Sequence, residues 1–272
     1  MSDFNQALVT PNIWASLRRH TPARIGLGRS GVSLPTQALL EFQSAHAQAR
    51  DAVKLPLDIQ QLQQDLAEQG VPSLRLHSQA KDRSLYLQRP DLGRRLDADS
   101  AAKLKRLATL PGLQHNRRQV VVVIADGLSS TAVQQQAVPM LLAIQSALQA
   151  LSITISSVCV VEQARVALGD EVGELLASQA VILLVGERPG LSSPDSLGIY
   201  YTYAPRVGLT DAARNCISNI RPGGQSVEEA ATRLIWLVKE SFTRKLSGVA
   251  LKDQSGGSDA LEVAQGRSFL LE

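Results

Sequence analysis

The chain has 272 residues, of which 44% are hydrophobic, 19% charged and 4% aromatic. Its 28 Lys and Arg residues exceed its 25 Asp and Glu residues by a formal charge of +3. The basic residues are spread along the chain, whereas a nucleic-acid-binding surface gathers them into a patch or stripe. No run reaches the roughly 18 apolar residues of a transmembrane helix. We therefore expect neither a nucleic acid nor a membrane as a partner.

The two cysteines, Cys159 and Cys216, lie far apart and belong to no CxxC motif or Cys/His cluster. Such isolated thiols support neither a zinc or iron–sulfur site nor a disulfide framework. We therefore predict no metal site and a reducing, cytoplasmic location. Residues 1–5 lack the basic and apolar regions of a secretory signal peptide.

Residues 1–110 are predicted to form a mostly helical, peripheral N-terminal region. Apolar residues recur with helical spacing over 35–53 and 58–69, and Ser100 is predicted to cap a third helix. Residues 26–31 match GxGxxG in letters. The segment before them is too short and proline-broken to be the strand of a dinucleotide-binding motif, so we predict an irregular loop.

Residues 111–253 change character, because β-branched runs alternate with helical patterns. The run 120–124 (VVVVI) is typical of a strand buried on both faces. Further strands are predicted over 152–161, 181–185 and 200–203, and helices over 130–150, with a kink or late start at Pro139, 165–177 and 226–246. This alternation predicts an α/β fold with a doubly wound, mostly parallel, Rossmann-like sheet. Residues 254–272 are predicted to be a flexible tail.

Two glycine-bearing loops, 126–130 and 186–191, follow predicted strands, where α/β sheets bind ligands. They indicate a face that binds a ligand or partner, although glycine and proline could simply turn the chain there. The chain lacks a GxSxG elbow, a Walker motif and a base near Cys216 in the sequence, so we predict no catalytic residue. A stand-alone nucleotide- or small-molecule-binding protein and a structural interaction protein both remain open on these residues.

Several segments resemble the small subunit of ethanolamine ammonia-lyase, in the order found in that family. They are 21–29 (TPARIGLGR), 35–40 (PTQALL), 85–96 (LYLQRPDLGRRL), 126–129 (DGLS), 181–190 (VILLVGERPG) and 216–220 (CISNI) with Gly223-Gly224. The run VILLVGERPG is the most specific of them. Together they extend over roughly residues 20 to 250.

The resemblance implies a carbon–nitrogen lyase that converts ethanolamine to acetaldehyde and ammonia by a radical rearrangement. It implies that adenosylcobalamin is the cofactor and that its cobalt takes no ligand from this chain. It also implies a hetero-oligomer in which a large catalytic subunit holds ethanolamine, while this chain closes over the cobalamin at the interface. Such a division agrees with a chain that has binding loops but no acid–base machinery.

Three residues match cofactor-contacting positions of the family. The resemblance implies that Val166 supplies apolar contact, that Glu187 accepts a hydrogen bond from an amide or ribose hydroxyl, and that Cys216 packs against the cofactor without attacking it. Many relatives begin with a helix that targets them to a bacterial microcompartment. Because the family-like region starts within about twenty residues of Met1, we expect a free cytoplasmic enzyme in preference to an encapsulated one.

Overall fold

A computed structural model describes residues 8–109 and 118–255 of the chain. A six-stranded mixed sheet lies at the centre, with strand order β1-β3-β2-β4-β5-β6. Its strands are β1 (Ser73–His77), β2 (Gln119–Ala125), β3 (Thr154–Glu162), β4 (Ala180–Gly186), β5 (Leu197–Tyr203) and β6 (Arg214–Ile220). The α-helices are α1 (Thr36–Lys54), α2 (Ile59–Glu68), α3 (Arg83–Gln88), α4 (Ala98–Ala108), α5 (Ser130–Ala150), α6 (Leu168–Leu175) and α7 (Val227–Arg244).

Four strands, β1 to β4, are parallel to one another, and β5 and β6 are antiparallel to their neighbours. The α/β class is therefore confirmed, and the predicted parallel pairing holds for the first four strands. The last two differ because residues 187–196 and 204–213 contain no crossover helix. A direct connection of this kind reverses the chain, whereas parallel neighbours need a long crossover.

Helices cover both faces of the sheet. On one face α2, α5 and α7 pack against side chains such as Val122, and on the other α4 and α6 pack against side chains such as Val123. Strand β2 is buried on both faces, as its uninterrupted β-branched sequence predicted. Burying each such aliphatic side chain contributes about 1.5–3 kcal/mol. The two helical layers thus stabilise the sheet, whose strands position the loops 126–130 and 186–191.

The N-terminal region contains the predicted helices α1, α2 and α4, and it also supplies the edge strand β1, which the sequence analysis did not predict. The cap of α4 was placed wrongly. The Asp97 side chain accepts from the Ser100 amide at 2.7 Å, while the Ser100 hydroxyl accepts from the His77 amide of β1 at 2.9 Å. Residues 26–31 lie outside the helices and the sheet, as predicted.

The C-terminal elements follow the predicted pattern closely. Helix α7 begins with the predicted capping box of Ser226 and Glu229, and α5 continues through Pro139. Within the described ranges, no helix is long and apolar enough to cross a lipid bilayer. The tail predicted over 254–272 falls almost wholly outside the described residues.

Candidate functional site

The two glycine-bearing loops meet at one edge of the sheet. Strands β2, β3 and β4 are parallel, so the loops that follow them lie side by side. A cavity of about 410 Å³ opens there between them. It is lined by Tyr86, Gly127, Leu128, Arg165, Val166, Val185, Gly186, Glu187, Arg188 and Tyr200.

Glu187 is held in one orientation within this cavity. Its Oε2 accepts from the Ser196 hydroxyl at 2.6 Å and from the Asn219 amide at 3.1 Å. Its own amide donates to the Ser196 carbonyl at 2.9 Å, which closes the connection between β4 and β5. A Cβ on Gly198 would lie 2.9 Å from Oε1. Among the described residues Oε1 has no hydrogen-bond partner, so it is available to a ligand.

The backbones of the two loops touch at Gly127 and Gly186. The Leu128 amide donates to the Gly186 carbonyl at 2.9 Å. A Cβ on Gly127 would lie 2.2 Å from that carbonyl oxygen, and a Cβ on Gly186 would lie 2.0 Å from the Ser129 carbonyl oxygen. Only glycine fits at either position. The contact forms the floor of the cavity.

Asp126 ties the end of β2 to the segment after β3. Its Oδ2 accepts from the Gln163 amide and its Oδ1 from the Ala164 amide, both at 3.0 Å. The Arg83 Nη1 donates to Oδ2 at 3.3 Å. Burial raises the pKa of Asp126 to about 6, against the opposing effect of the Arg83 cation and the backbone amides. The carboxylate has a structural role, because both of its oxygens accept hydrogen bonds from protein groups and its side chain is buried.

Replacing Asp126 with Asn is expected to lower the free energy of unfolding by about 2 kcal/mol, because an amide NH₂ would then face one of two backbone donors. Urea denaturation at pH 7 measures this change as a lower midpoint. The matched control is Asp51→Asn, at an exposed carboxylate of α1, which should stay within about 0.5 kcal/mol. Equal effects of the two substitutions would contradict the assigned role.

Tyr86 lies between two arginine side chains at the edge of the cavity. The Arg83 Cζ is 4.8 Å and the Arg165 Cζ 4.2 Å from the centroid of its ring. Its hydroxyl donates to the Ala164 carbonyl at 3.2 Å. Burial raises the pKa of Tyr86. The phenol therefore stays neutral, and its ring stacks with the guanidinium of the cavity-lining Arg165.

The structure brings two of the three predicted cofactor-binding residues into one cavity. Val166 and Glu187 both line it, and both are partly exposed. Cys216 lies on β6, paired across the sheet with the cavity residue Tyr200, and the two side chains interact. Although Cys216 as a whole is exposed, crowding around its thiol raises the pKa of Cys216. The thiol is thus protonated at neutral pH and unsuited to nucleophilic attack.

Sequence reasoning missed several residues of the cavity wall. Tyr86 lies in the family-like segment 85–96 and Tyr200 in the predicted strand 200–203, but neither was predicted at the site, and both reach the cavity only through the fold. Arg165 directly precedes the predicted site residue Val166, so its place in the cavity wall could have been predicted from that neighbour. Within the described parts of the chain, no three His, Cys, Asp or Glu side chains gather as metal ligands would.

Comparison of the sequence with known proteins identifies the family of this chain. Residues 11–252 match the family model for the ethanolamine ammonia-lyase light chain (EutC). A protein of Ralstonia nicotianae named ethanolamine ammonia-lyase small subunit is 54% identical over 271 residues, covering 99% of this chain and 98% of that protein.

Two further proteins carry the same name. The protein of Azotobacter vinelandii is 54% identical over 255 residues, covering 94% of this chain and 93% of its own length. The protein of Xanthomonas campestris pv. campestris is 56% identical over 262 residues, covering 95% of each chain. Matches of this length and identity confirm the resemblance found in the sequence. The chain belongs to the ethanolamine ammonia-lyase small-subunit, or light-chain, family.

Proposed function

We propose that this chain is the non-catalytic small subunit of an adenosylcobalamin-dependent ethanolamine ammonia-lyase, and that its sheet-edge cavity forms one half of the cobalamin site. A large subunit would complete the site, hold ethanolamine and carry out its conversion to acetaldehyde and ammonia. The observation that carries the proposal is the joint placement of Val166 and Glu187 in one cavity beside two loops that contain no histidine, cysteine or lysine. In this proposal the sheet is Rossmann-like and binds the cofactor at the carboxyl ends of its parallel strands.

The cavity suits part of a corrinoid. A corrin ring has a flat apolar body and a rim of amide side chains, so it needs aliphatic contact together with hydrogen-bond acceptors. Leu128, Val166 and Val185 supply aliphatic surface. Glu187 supplies the fixed acceptor Oε1, and Tyr200 forms a side wall with Cys216 paired beside it on β6. When bound, adenosylcobalamin would supply the radical chemistry that these residues cannot.

The size and surroundings of the cavity support a shared site. Drug-sized ligands fill pockets of about 300–1,000 Å³, and a cobalamin is larger than such a ligand, so a cavity of about 410 Å³ can cover only part of it. The N-terminal region beside it exposes large apolar side chains, among them Trp14, Leu40 and Phe42. Arg24 joins this region to the Glu187 loop by donating to the Leu191 carbonyl at 3.4 Å. The large subunit is the proposed cover of this surface.

Co-expression with the large subunit of the same organism tests the proposal. The purified complex should release ammonia from ethanolamine only when adenosylcobalamin is added, and neither chain should be active alone. A chain that binds nucleotides tightly, and neither pairs with the large subunit nor supports ammonia release, would instead be the stand-alone binding protein. A cytoplasmic location, free or inside a microcompartment, belongs to the same proposal.

The substitution Glu187→Gln is expected to raise the apparent KM for adenosylcobalamin about tenfold, because a charge-assisted hydrogen bond becomes a neutral one. The kcat at saturating cofactor should change by less than about twofold, since Glu187 contacts no reacting atom. Steady-state ammonia release at varied cofactor concentration measures both values. The control is Glu68→Gln on the exposed surface of α2, and a fall in kcat without a change in KM would assign Glu187 to the chemistry instead.

A further inference from the structure

The wall of the cavity carries more positive than negative charge. Arg165 and Arg188 both line it, and Glu187 is the single carboxylate among the lining residues. The nearby carboxylate of Asp126 is already paired with Arg83 at 3.3 Å. The two lining guanidiniums therefore exceed the negative charge available to them.

Arg165 is a partly buried cation without a counter-ion. Its Nη2 donates to the Tyr86 carbonyl at 3.0 Å, and its guanidinium stacks on the Tyr86 ring. Its Nε is buried and has no hydrogen-bond partner. Among the described residues it forms no ion pair. Partial burial of an unpaired charge is unfavourable, so an anion bound in the cavity would stabilise this side chain.

Arg188 also lines the cavity, next to Glu187 in the sequence. Its side chain is exposed, and within residues 8–109 and 118–255 it takes part in no hydrogen bond or ion pair. Among the described residues no ion pair joins Arg188 to Glu187, whose Oε2 accepts from Ser196 and Asn219. The Arg188 guanidinium is therefore available to a ligand.

We propose that Arg165 and Arg188 form an anion subsite that binds the phosphodiester of the cobalamin nucleotide loop. The inference rests on the proposed function and extends it to one part of the cofactor. The rim amides of cobalamin are neutral and its phosphodiester is anionic. Guanidinium groups match phosphate oxygens in geometry as well as charge.

Two corrinoids that differ by a phosphate test the subsite. Cobinamide lacks the nucleotide loop entirely, and cobinamide phosphate adds only the anionic group. The complex of both subunits is titrated with each compound in competition with cyanocobalamin, and the visible spectrum reports binding. The wild-type complex should bind cobinamide phosphate at least about tenfold more tightly than cobinamide.

The variant Arg188→Gln should reduce the ratio of the two affinities, cobinamide phosphate over cobinamide, severalfold. The double variant Arg165→Gln/Arg188→Gln should reduce this ratio to about one. Arg165→Lys should retain part of the preference. Because Arg188 has no intramolecular bonds, its substitution tests the subsite without disturbing the fold. The control is Arg206→Gln, which makes the same charge change just beyond the end of β5, at the opposite edge of the sheet, and should leave the ratio unchanged.

The outcomes separate the inference from the proposed function. If the wild-type complex binds cobalamin but the arginine variants leave the ratio unchanged, or weaken both corrinoids equally, the phosphate subsite is wrong and the cobalamin site stands. If the wild-type complex binds no cobalamin, the proposed function itself fails.

Discussion

Replacing Gly127 with Ala is expected to lower the free energy of unfolding by at least about 3 kcal/mol, through two separate costs. Gly127 has a φ of +57°, in the left-handed region that favours glycine. Its added Cβ would also lie 2.2 Å from the Gly186 carbonyl oxygen. Neither loop can relax without breaking the hydrogen bond between the Leu128 amide and that carbonyl. Thermal unfolding should show a Tm lower by roughly 6–12 °C.

Gly31→Ala is the matched control for this prediction. Gly31 has a φ of +60°, and an added Cβ would meet no atom within 4 Å. It should therefore show only the conformational cost, about 1–2 kcal/mol. The difference between the unfolding free energies of the two variants measures the cost of the steric clash between the loops. Equal losses at Gly127 and Gly31 would show that this contact contributes nothing.

The same contact shapes the cavity floor, so its loss should reach the proposed cobalamin site. Gly127 and Gly186 both line the cavity, and Glu187 follows Gly186 directly. A displaced Gly186 would move the Glu187 carboxylate away from Ser196. We therefore expect Gly127→Ala to raise the cofactor KM of the assembled enzyme even below its melting temperature. Gly31→Ala should leave that KM unchanged.

The parts of the fold that depend on local sequence were predictable. Strands β2 and β4 are continuous aliphatic runs, and α7 carries its capping box in four consecutive residues. Strand β6 was missed because only Arg214, Ile217 and Ile220 of its seven residues are buried. Such an edge strand lacks both the aliphatic run of a central strand and regular alternation. Its place is decided by pairing with β5.

The site was predictable only where the family resemblance or a strand end pointed to it. Glu187 follows a buried strand and lies in a specific motif, so its position at the sheet edge could be predicted. Tyr86 reaches the cavity because Arg165, 79 residues further along the chain, donates to its carbonyl. No local pattern encodes a contact of that separation. The same is true of Ser196, whose role depends on the folded path of the loop to β5.

Replacing Arg214 with Met is expected to lower the free energy of unfolding by about 3–5 kcal/mol, because it leaves a buried carboxylate without its partner. The side chains of Arg214 and Asp170 are only 2% and 3% exposed and form an ion pair. The Arg214 Nη2 also donates to the Leu209 carbonyl at 3.1 Å. Burial raises the pKa of Asp170, and the Arg214 cation opposes that rise. Removing the cation therefore favours protonation of Asp170.

A double-mutant cycle measures this coupling. Asp170→Leu with Arg214→Met replaces both charges by apolar groups, so it should cost less than the sum of the two single substitutions. The control is Arg244→Met at the exposed i,i+4 pair with Glu240, which should cost about 0.5 kcal/mol. Additive single effects, or an Arg214→Met loss no larger than that of Arg244→Met, would contradict a coupled buried pair.

The ion pair also connects two elements of the candidate site. Asp170 lies in the first turn of α6, four residues after Val166, and Arg214 begins β6, two residues before Cys216. Breaking the pair should therefore alter the spacing between α6 and β6 as well as the stability of the fold. We expect Arg214→Met to raise the cofactor KM of the assembled enzyme at a temperature where it is still folded. The apolar double variant, which restores packing between α6 and β6, should recover most of that loss.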